Sequence, residues 1–403
     1  MLKLALRNIL RQKARTAMTL AAVVFGVVGL ILSGGFVQDM FTQLANAVIH
    51  SQTGHIQIAQ RGYFGAGSRS PEKYFLAEID GLKRWVQGNR EVQDVMARLS
   101  FSGLLNNGKT DFPIVGEGIE PAKEARLGTF MMVTQGRNLL DGDTFGILVG
   151  EGVAKSLGLQ PGDRANLLVA TADGAMNLLD FTVMGIFQSF SRDYDARTVK
   201  IPIRAAQELM GTSGANVIVV TLLRTEDTNK IAIRFASDLK DTALEIKTWD
   251  EINDFYAKAV ILYDRQFGVL RLIVLIMVVL SVLNVVNMSV LERAGEFGTM
   301  RALGNRNWDV FKFVILEGVV LGVIGALIGT SVGLVLAWVI SAIGITMPPP
   351  PNSNVGYTAS IRIEPAVVIG AFLIGVLATA FASIFPAVRV SRISIVEALR
   401  RIV

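Results

Sequence analysis

The sequence contains no cysteine and only two histidines, His50 and His55, among its 403 residues. Without cysteine there is no disulfide framework, no thiolate metal site and no cysteine nucleophile, and two histidines leave almost nothing for a zinc centre or a histidine base. Charged residues are sparse, at 18%, whereas hydrophobic residues make up 51%. Such a chain is too apolar for an ordinary soluble protein and too charged to consist only of membrane helices. The composition therefore predicts a membrane part, a soluble part and no cofactor held by this chain.

Long windows without charge locate the membrane part. Residues 16–38 and 272–291 contain no charged side chain, and a helix that crosses about 30 Å of hydrocarbon needs roughly 20 apolar residues. We predict four transmembrane helices, at 17–37, 270–290, 313–345 and 366–388. Five basic residues precede the first span, but its apolar stretch exceeds that of a secretory signal and lacks a convincing cleavage site, so a retained anchor is expected.

Lysine and arginine near the ends of the spans predict the orientation. They cluster before the first span, between the second and third, and after the fourth, and such clusters remain on the cytoplasmic side. Cytoplasmic segments are therefore predicted at 1–16, 291–312 and 389–403, with 38–264 and the loop 346–365 outside. Residues 39–264 hold 23 basic and 28 acidic residues, a net charge of −5. The overall charge of +5 thus reflects membrane topology, and no nucleic-acid partner is expected.

The external segment 38–264 is long enough for a domain of two lobes. Short runs rich in Val, Ile and Phe alternate with stretches of helical spacing such as 228–240, which predicts an α+β domain inserted between the first and second spans. No Gly or Pro occurs from Trp249 to Phe267. This predicts one continuous helix from Trp249 to Val290, which would act as a lever. The alternative is a surface helix that breaks at Gly268 before a separate span.

Residues 103–110, Gly-Leu-Leu-Asn-Asn-Gly-Lys-Thr, match the phosphate-binding pattern GxxxxGK[ST] letter by letter. A phosphate loop must open directly into a helix whose amides hold the phosphates. Here Thr110 is followed by Asp-Phe-Pro-Ile-Val, which favours a strand, and Asn-Asn-Gly is typical of a hairpin turn. We therefore predict a β-hairpin, and a chain that is not itself an enzyme.

The segment 291–312 between the second and third spans predicts a short amphipathic helix that ends at Gly304. Its apolar edge is formed by Phe297, Met300 and Leu303, beside several charged residues. Such a helix suits docking onto a protein partner at the membrane surface. The alternative is a solvated loop whose arginines only set the topology.

Two patterns inside the spans concern helix packing. Glycines in the third span recur at a spacing near four, which permits close packing within the chain or in a dimer. Asn284 and Asn287 lie inside the second span, where an amide is costly unless it is hydrogen-bonded, so bonds between helices are expected, with contact to substrate as the alternative. The glycines are Gly318, Gly322, Gly325, Gly329 and Gly333.

The string E-R-x-x-E-F-G-x-x-R-A-L-G at 292–304 resembles the signature of the MacB/FtsX/LolCE permease superfamily, also called type VII ABC transporters. The segment 4–16 and the motifs Phe385-Pro-Ala and Glu397-Ala-Leu-Arg look like the same family, although many members carry Asp-Pro where this chain has Ser394-Ile. The resemblance covers essentially the whole chain.

This resemblance implies a permease subunit of the bacterial inner membrane that forms a homodimer or heterodimer with a second permease chain. It would dock on two copies of a separate cytoplasmic ATPase, which binds ATP and Mg. In the family, nucleotide-driven motion passes to the external domains, and membrane lipid and a periplasmic carrier or adaptor are further expected partners. Seven residues match the family's coupling motif, and the resemblance implies that they contact the ATPase. They are Glu292, Arg293, Glu296, Gly298, Arg301, Ala302 and Gly304.

Three functions remain open within this family. The first is extraction of lipoproteins or other lipophilic cargo, because Gly54-His-Ile-Gln-Ile looks like the LolC/LolE branch and this sequence carries no fused ATPase. The second is MacB-like efflux of peptides or drugs through an adaptor and an outer-membrane channel. The third is FtsX-like signalling to a cell-wall hydrolase, a branch whose external domain is usually smaller.

Overall fold

The computed structural model describes residues 13–67, 70–171, 173–349 and 356–393. Most of the predicted N-terminal cytoplasmic segment, and the tail with its Glu397 motif, lie outside these described residues. The described chain forms two compact units. The membrane unit contains the described residues up to Thr42, Val260–Thr346 and those from Thr358 onward, and the external unit contains Gln43–Ala259 and the described part of 347–357.

The secondary structure mixes very long helices with short helices and strands. The α-helices are α1 (Lys13–Val48), α2 (Ile79–Gln87), α3 (Pro121–Leu127), α4 (Glu151–Leu157), α5 (Arg192–Asp195), α6 (Ile203–Met210), α7 (Thr228–Asp238), α8 (Trp249–Ile252), α9 (Asp254–Glu292), α10 (Ala294–Ala302), α11 (Asn307–Ile343) and α12 (Pro365–Ser391). The strands are β1 (Ile56–Gln60), β2 (Val92–Asn106), β3 (Asp111–Ile119), β4 (Met132–Gly136), β5 (Gly146–Gly150), β6 (Arg164–Ala170), β7 (Met176–Gln188), β8 (Thr198–Pro202), β9 (Val217–Leu222), β10 (Leu244–Thr248), β11 (Ile345–Met347) and β12 (Tyr357–Ala359). A π-helical turn, Ile49–Thr53, follows α1.

Four of these helices, α1, α9, α11 and α12, are long and apolar enough to cross a membrane. Each contains a window with few or no charges, because a charged side chain in hydrocarbon is costly. The predicted fold class, four membrane helices with an α+β domain inserted between the first and second, is confirmed. The helix α1 alone has 36 residues, a length of about 54 Å that exceeds the roughly 30 Å hydrocarbon core.

The predicted continuous helix from Trp249 to Val290 is wrong at its N-terminal end. Asn253 interrupts it, leaving the four-residue helix α8 in front of α9. The side chain of Asn253 accepts a hydrogen bond from the Tyr256 N–H at 3.0 Å, as an N-cap residue does, and thereby starts a new helix. The alternative break at Gly268 is absent as well, because α9 runs through that residue to Glu292.

Within the described residues, one sheet of ten strands organises the external unit. Neighbouring strands follow the order β10-β1-β9-β2-β3-β8-β5-β7-β4, and β6 pairs with both β2 and β7. The apolar core falls into two main clusters, one around Phe101 and Phe181 and one around Ile58 and Phe235. The two predicted lobes therefore share one sheet.

His55, just before β1, is held neutral by its surroundings. Its Nδ1 accepts a hydrogen bond from the Leu222 N–H at 3.2 Å, which leaves the proton on Nε2, 3.1 Å from Thr225 Oγ1. Burial, followed by the charge of His50, lowers the pKa of His55 from 6.5 to about 4. Protonation would place a second hydrogen against the Leu222 N–H.

This lowered pKa predicts that the external unit loses stability in mild acid. The unfolded chain takes up the proton near pH 6.5 and the folded chain only near pH 4, so up to about 3 kcal/mol is lost as the pH falls through that window. Histidine Cε1–H exchange, followed by mass spectrometry on the full chain, measures the pKa directly. A measured His55 pKa near 6.5 would contradict this prediction. So would a pH dependence of the unfolding free energy that is the same in His55→Asn as in the wild-type chain.

Candidate functional site

The segment between α9 and α11 forms a compact helical turn at one end of the membrane unit. Helix α9 ends at Glu292, α10 follows, and the chain turns at Gly304, whose φ of +100° suits a residue without a Cβ. Asp309 then accepts a hydrogen bond from the Arg306 N–H at 2.9 Å, which caps the start of α11. The predicted helix ending at Gly304 is thus present as α10, with Leu303 as its C-terminal cap.

Arg293 anchors this segment to α11. Its Nη1 donates to both carboxylate oxygens of Glu317, at 3.0 and 2.9 Å, and its Nε donates to Glu296 at 3.0 Å. The guanidinium also lies 5.2 Å from the centre of the Phe297 ring. Only 7% of the Arg293 side chain is exposed. Charge-assisted bonds of this kind are strong and directional, so α10 is held rigidly against α11.

The inner face of α10 is buried inside the membrane unit. Ala294, Gly295, Phe297 and Gly298 are all buried, and the Phe297 ring meets Phe313 edge to face, with the ring centroids 6.4 Å apart. The prediction of Phe297 on a docking edge is therefore wrong. Amphipathic spacing shows that a helix has two faces, but here the apolar face covers the chain's own helices.

The outer face of this segment carries the residues available to another protein. Glu292, Glu296, Ala302 and Gly304 are exposed, whereas Arg301 donates a hydrogen bond to the backbone oxygen of Ile393. We call Leu303, Gly304, Asn305 and Trp308 the exposed tip. Leu303 is 82% and Trp308 is 58% exposed. Trp308 was not predicted; a tryptophan just after a glycine turn in a polar segment was the available signal.

The glycine stripe of α11 packs within the chain. A Cβ on Gly318 or Gly322 would overlap the hydroxyl of Ser383 or Thr379 on α12. A Cβ on Gly325, Gly329 or Gly333 would come within 2.9 to 3.1 Å of Val23, Val27 or Ile31 on α1. Of the two predicted alternatives, the structure therefore places this stripe against the chain's own helices.

The two asparagines of α9 differ in their exposure to the surface. Asn284 lies on the exposed face of the helix. The Oδ1 of Asn287 is buried and has no hydrogen-bond partner among the described residues. The expected bonds between helices therefore stay a prediction.

The segment 103–110 is the β2–β3 hairpin that the sequence predicts. Asn106 pairs with Asp111 across the turn, and Asn107 Oδ1 accepts hydrogen bonds from the Lys109 and Thr110 N–H groups at 3.0 and 2.9 Å. Thr110 leads into strand β3. The geometry that a phosphate loop needs, a helix opening at this point, is replaced by a strand.

The hairpin also contributes to an apolar patch on the external unit. Leu104 pairs with Pro113 on one side and with Leu168 on the other, and Leu168 pairs with Leu178. We call these four residues the sheet patch. Leu104 is 38% and Leu178 is 52% exposed, and Met176 nearby is 62% exposed. A row of apolar side chains across four strands is the kind of exposed surface that binds a partner or an apolar ligand.

A buried charge cluster lies elsewhere in the external unit. Glu124 accepts hydrogen bonds from Arg98 at 2.8 and 2.9 Å and from Lys200 at 2.6 Å, and Glu117 lies 3.6 Å from Lys200. Arg98 also donates to the backbone oxygen of Gln52. Burial alone would raise the pKa of Glu124, but the charges of Arg98 and Lys200 outweigh it and lower the pKa to about 2. The cluster therefore stays ionised and joins β2, α3 and β8.

Comparison with known proteins gives two family matches that together span most of the chain. The MacB-like periplasmic core domain matches residues 16–237, and the FtsX-like permease C-terminal domain matches residues 268–395. The chain is 22% identical to the lipoprotein-releasing system transmembrane protein LolC of Neisseria meningitidis serogroup B, over 80% of this chain and 77% of that protein. It is 24% identical to the uncharacterized ABC transporter permease MJ1507 of Methanocaldococcus jannaschii, over 98% of this chain and 96% of that protein. Among solved structures, the periplasmic region of MacB from Actinobacillus actinomycetemcomitans is 18% identical with a TM-score of 0.38, covering 51% of this chain and 93% of that chain.

Proposed function

Because the chain belongs to the family of MacB/FtsX/LolCE-type ABC transporter permeases, we propose that its exposed tip docks on a separate cytoplasmic ATPase. Members of this family are permease components that work with ATPase subunits, and the chain is a membrane protein with a periplasmic-type domain. Two ATPase copies would bind ATP and Mg and act on two permease chains. The inner membrane, with both termini cytoplasmic, is the proposed location.

The observation that carries this proposal is the combination of an exposed tip and a buried anchor. Leu303 and Trp308 are exposed apolar residues, and tryptophan is enriched at protein interfaces. Arg293 ties the same segment to Glu317 of α11. A force applied at the tip would therefore move α9 and α11 with it rather than bend a loose loop. Of the seven residues matching the coupling motif, Glu292, Glu296, Ala302 and Gly304 would contact the ATPase, and Arg293, Gly298 and Arg301 would hold the segment in place.

Lipoprotein or other lipophilic cargo is the proposed substrate class, handled on the outer side of the membrane by motion of the external unit. The sheet patch of Leu104, Pro113, Leu168 and Leu178 supports this proposal, because it offers an apolar surface on that unit. The long helices α1 and α9, of 36 and 39 residues, suit the transmission of force over more than a bilayer thickness.

Replacing Leu303 with glutamate is expected to reduce co-purified ATPase at least about tenfold, because a carboxylate would be desolvated in the apolar contact. The side chain is 82% exposed, so the permease itself should fold normally. The chain is co-expressed with its ATPase, purified in lipid nanodiscs and assayed for bound ATPase and ATP hydrolysis. The matched control is Leu223→Glu, at a leucine of the external unit that is 64% exposed.

Equal ATPase binding by Leu303→Glu and Leu223→Glu would refute the docking assignment. If the wild-type chain neither binds the ATPase nor changes its rate, the permease proposal itself fails. With the intact complex, added triacylated lipoprotein should stimulate hydrolysis, and Leu178→Asp on the sheet patch should abolish this stimulation while leaving basal hydrolysis unchanged. Stimulation by a periplasmic adaptor instead would favour MacB-like efflux.

A further inference from the structure

The external end of α1 continues directly into a π-helical turn. The helix runs without a break from Lys13 to Val48, and the turn Ile49–Thr53 follows at once. The Gly54 N–H closes this turn on the backbone oxygen of Ile49 at 3.0 Å. Single π-helical turns are rare and are frequently found at functional sites. The turn therefore marks the place where the longest part of α1 ends inside the external unit, which begins at Gln43.

Arg98 clamps this turn to the buried charge cluster. Its Nη1 donates to the backbone oxygen of Gln52, while its Nε and Nη2 donate to the carboxylate of Glu124 at 2.8 to 3.2 Å. Glu124 also accepts a hydrogen bond from Lys200 at 2.6 Å. The planar guanidinium holds two acceptors in fixed directions, which the point charge of a lysine does not. A displacement of the end of α1 is thereby passed to β2, α3 and β8.

Two further contacts hold the same turn. The His50 ring lies against Phe130, with the ring centroids 6.4 Å apart and the planes inclined by 21°. The Gln57 Nε2 donates to the backbone oxygen of Thr53 at 2.9 Å, which ties the turn to β1. The end of α1 is therefore fixed to several elements of the external unit at once.

The helix α9 is joined to the same unit in a different way. Trp249 of α8 packs on the end of α1, beside Ile49, and its ring meets Tyr256 of α9 at a centroid distance of 4.5 Å. Between them Asn253 leaves the helical conformation, with φ −100° and ψ 85°. Large backbone rotations are commonly absorbed by a few residues at the ends of elements. The chain can therefore bend at Asn253, whereas α1 enters its clamp as an unbroken helix.

We propose that α1, rather than α9, delivers motion to the external unit, and that Arg98 is the positioning residue that fixes α1 to it. In the membrane unit, α11 packs closely on α1 at Gly325, Gly329 and Gly333. Movement of the exposed tip at the start of α11 therefore reaches α1. The inference deepens the proposed function and rests on it, because the movement begins at the docked ATPase.

The clamp is tested by amide hydrogen exchange on the full chain. Arg98→Lys keeps a cation beside Glu124 but loses the second arm of the guanidinium, so exchange should rise at least about fivefold more in peptides covering the π-helical turn than in β8. The matched control is Lys200→Met, which removes a cation from the same cluster and leaves the bond between Arg98 and Gln52 in place. In this control, exchange in β8 should rise at least as much as in the turn.

Transmission is tested with the chain and its ATPase in lipid nanodiscs. Because the sequence has no cysteine, spin labels on Leu223→Cys and Leu377→Cys, at leucines 64% and 65% exposed, report one distance between the external and membrane units. ATP with vanadate should shift this distance in the labelled parent chain and in Lys200→Met. Arg98→Lys should lose at least about two thirds of the shift with basal hydrolysis unchanged. Two glycines inserted after Asn253 should leave the shift in place.

Loss of the shift on the insertion after Asn253, with the shift retained in Arg98→Lys, would assign the motion to α9 and overturn the proposal. An equal loss of the shift in Arg98→Lys and Lys200→Met would overturn it too, because the stability of the cluster would then explain both. If the parent chain binds the ATPase without any shift, transmission fails and the docking assignment stands. If no variant binds the ATPase, the docking assignment fails and transmission with it, while hydrogen exchange still decides whether Arg98 clamps the turn.

Discussion

Replacing Lys200 with methionine is expected to lower the free energy of unfolding of the external unit by about 3–5 kcal/mol, since breaking a buried ion pair leaves an uncompensated charge. Lys200 is fully buried in β8, and its Nζ donates to Glu124 at 2.6 Å. Without the Lys200 ammonium, the two carboxylates of Glu117 and Glu124 have only the Arg98 guanidinium to balance their charge. Methionine matches the length of the stem, so the change tests charge rather than volume.

The matched control is Lys155→Met. Lys155 also pairs with a glutamate, Glu151, at 2.9 Å, but its side chain is 73% exposed. An exposed pair contributes at most about 1 kcal/mol. Amide hydrogen exchange on the full chain, read from peptides that cover β8 and α3, reports the unfolding free energy of this unit separately from the membrane helices. If both variants lose a similar amount of unfolding free energy, the buried cluster contributes no more to stability than a surface ion pair.

The same variant should change the response to acid. The pKa of Glu124 is lowered from 4.5 to about 2, so its stabilising effect is complete above pH 4.5 and is lost as the pH falls toward 2. Removing Lys200 removes one of the two cations that lower this pKa. The acid-unfolding midpoint of Lys200→Met should therefore move to higher pH, and an unchanged midpoint would contradict the role assigned to Lys200.

This cluster also marks what the sequence could not predict. Membrane helices are recognised from local composition, because a span must be apolar along its own length. The strand β2 is harder to recognise, because Asp94 and Arg98 interrupt its apolar pattern. Arg98 is tolerated in the core only because the carboxylate of Glu124, from another part of the chain, pairs with it. Such compensation is set by the tertiary fold and leaves no local period.

The candidate docking segment also combines local features, which the sequence predicts, with features set by the tertiary fold, which it does not. The turn at Gly304 and the short helix before it are local properties, and the sequence predicts both. The direction of the apolar face is not local: Phe297 packs on Phe313, while Leu303 and Trp308 remain exposed. Asn253 likewise caps α9 through its own side chain, although asparagine inside a helical pattern only weakly predicts a break.

Replacing Gly322 with valine is expected to separate α11 from α12 and to lower the thermal midpoint of the membrane unit by roughly 5–10 °C, the result of an overpacking cost of about 2–3 kcal/mol. A Cβ at Gly322 would overlap Thr379 Oγ1 and lie 3.1 Å from Thr379 Cβ and 3.3 Å from Val376 Cα. Thr379 cannot simply rotate away. Its hydroxyl is fully buried and donates to the backbone oxygens of Gly375 and Val376 at 2.7 and 2.9 Å.

Gly370→Val is the matched control, because a Cβ at Gly370 of α12 would meet nothing within 4 Å. Both changes replace a helical glycine with the same residue and share the small propensity gain, so the difference between them reports packing alone. The midpoint is measured as the loss of monodisperse protein on heating in detergent. Adding Thr379→Ala to Gly322→Val removes the overlapping hydroxyl and should recover part of the loss. The glycine stripe does not set the distance between these helices if Gly322→Val and Gly370→Val have the same thermal midpoint. The same conclusion follows if adding Thr379→Ala to Gly322→Val does not raise the midpoint.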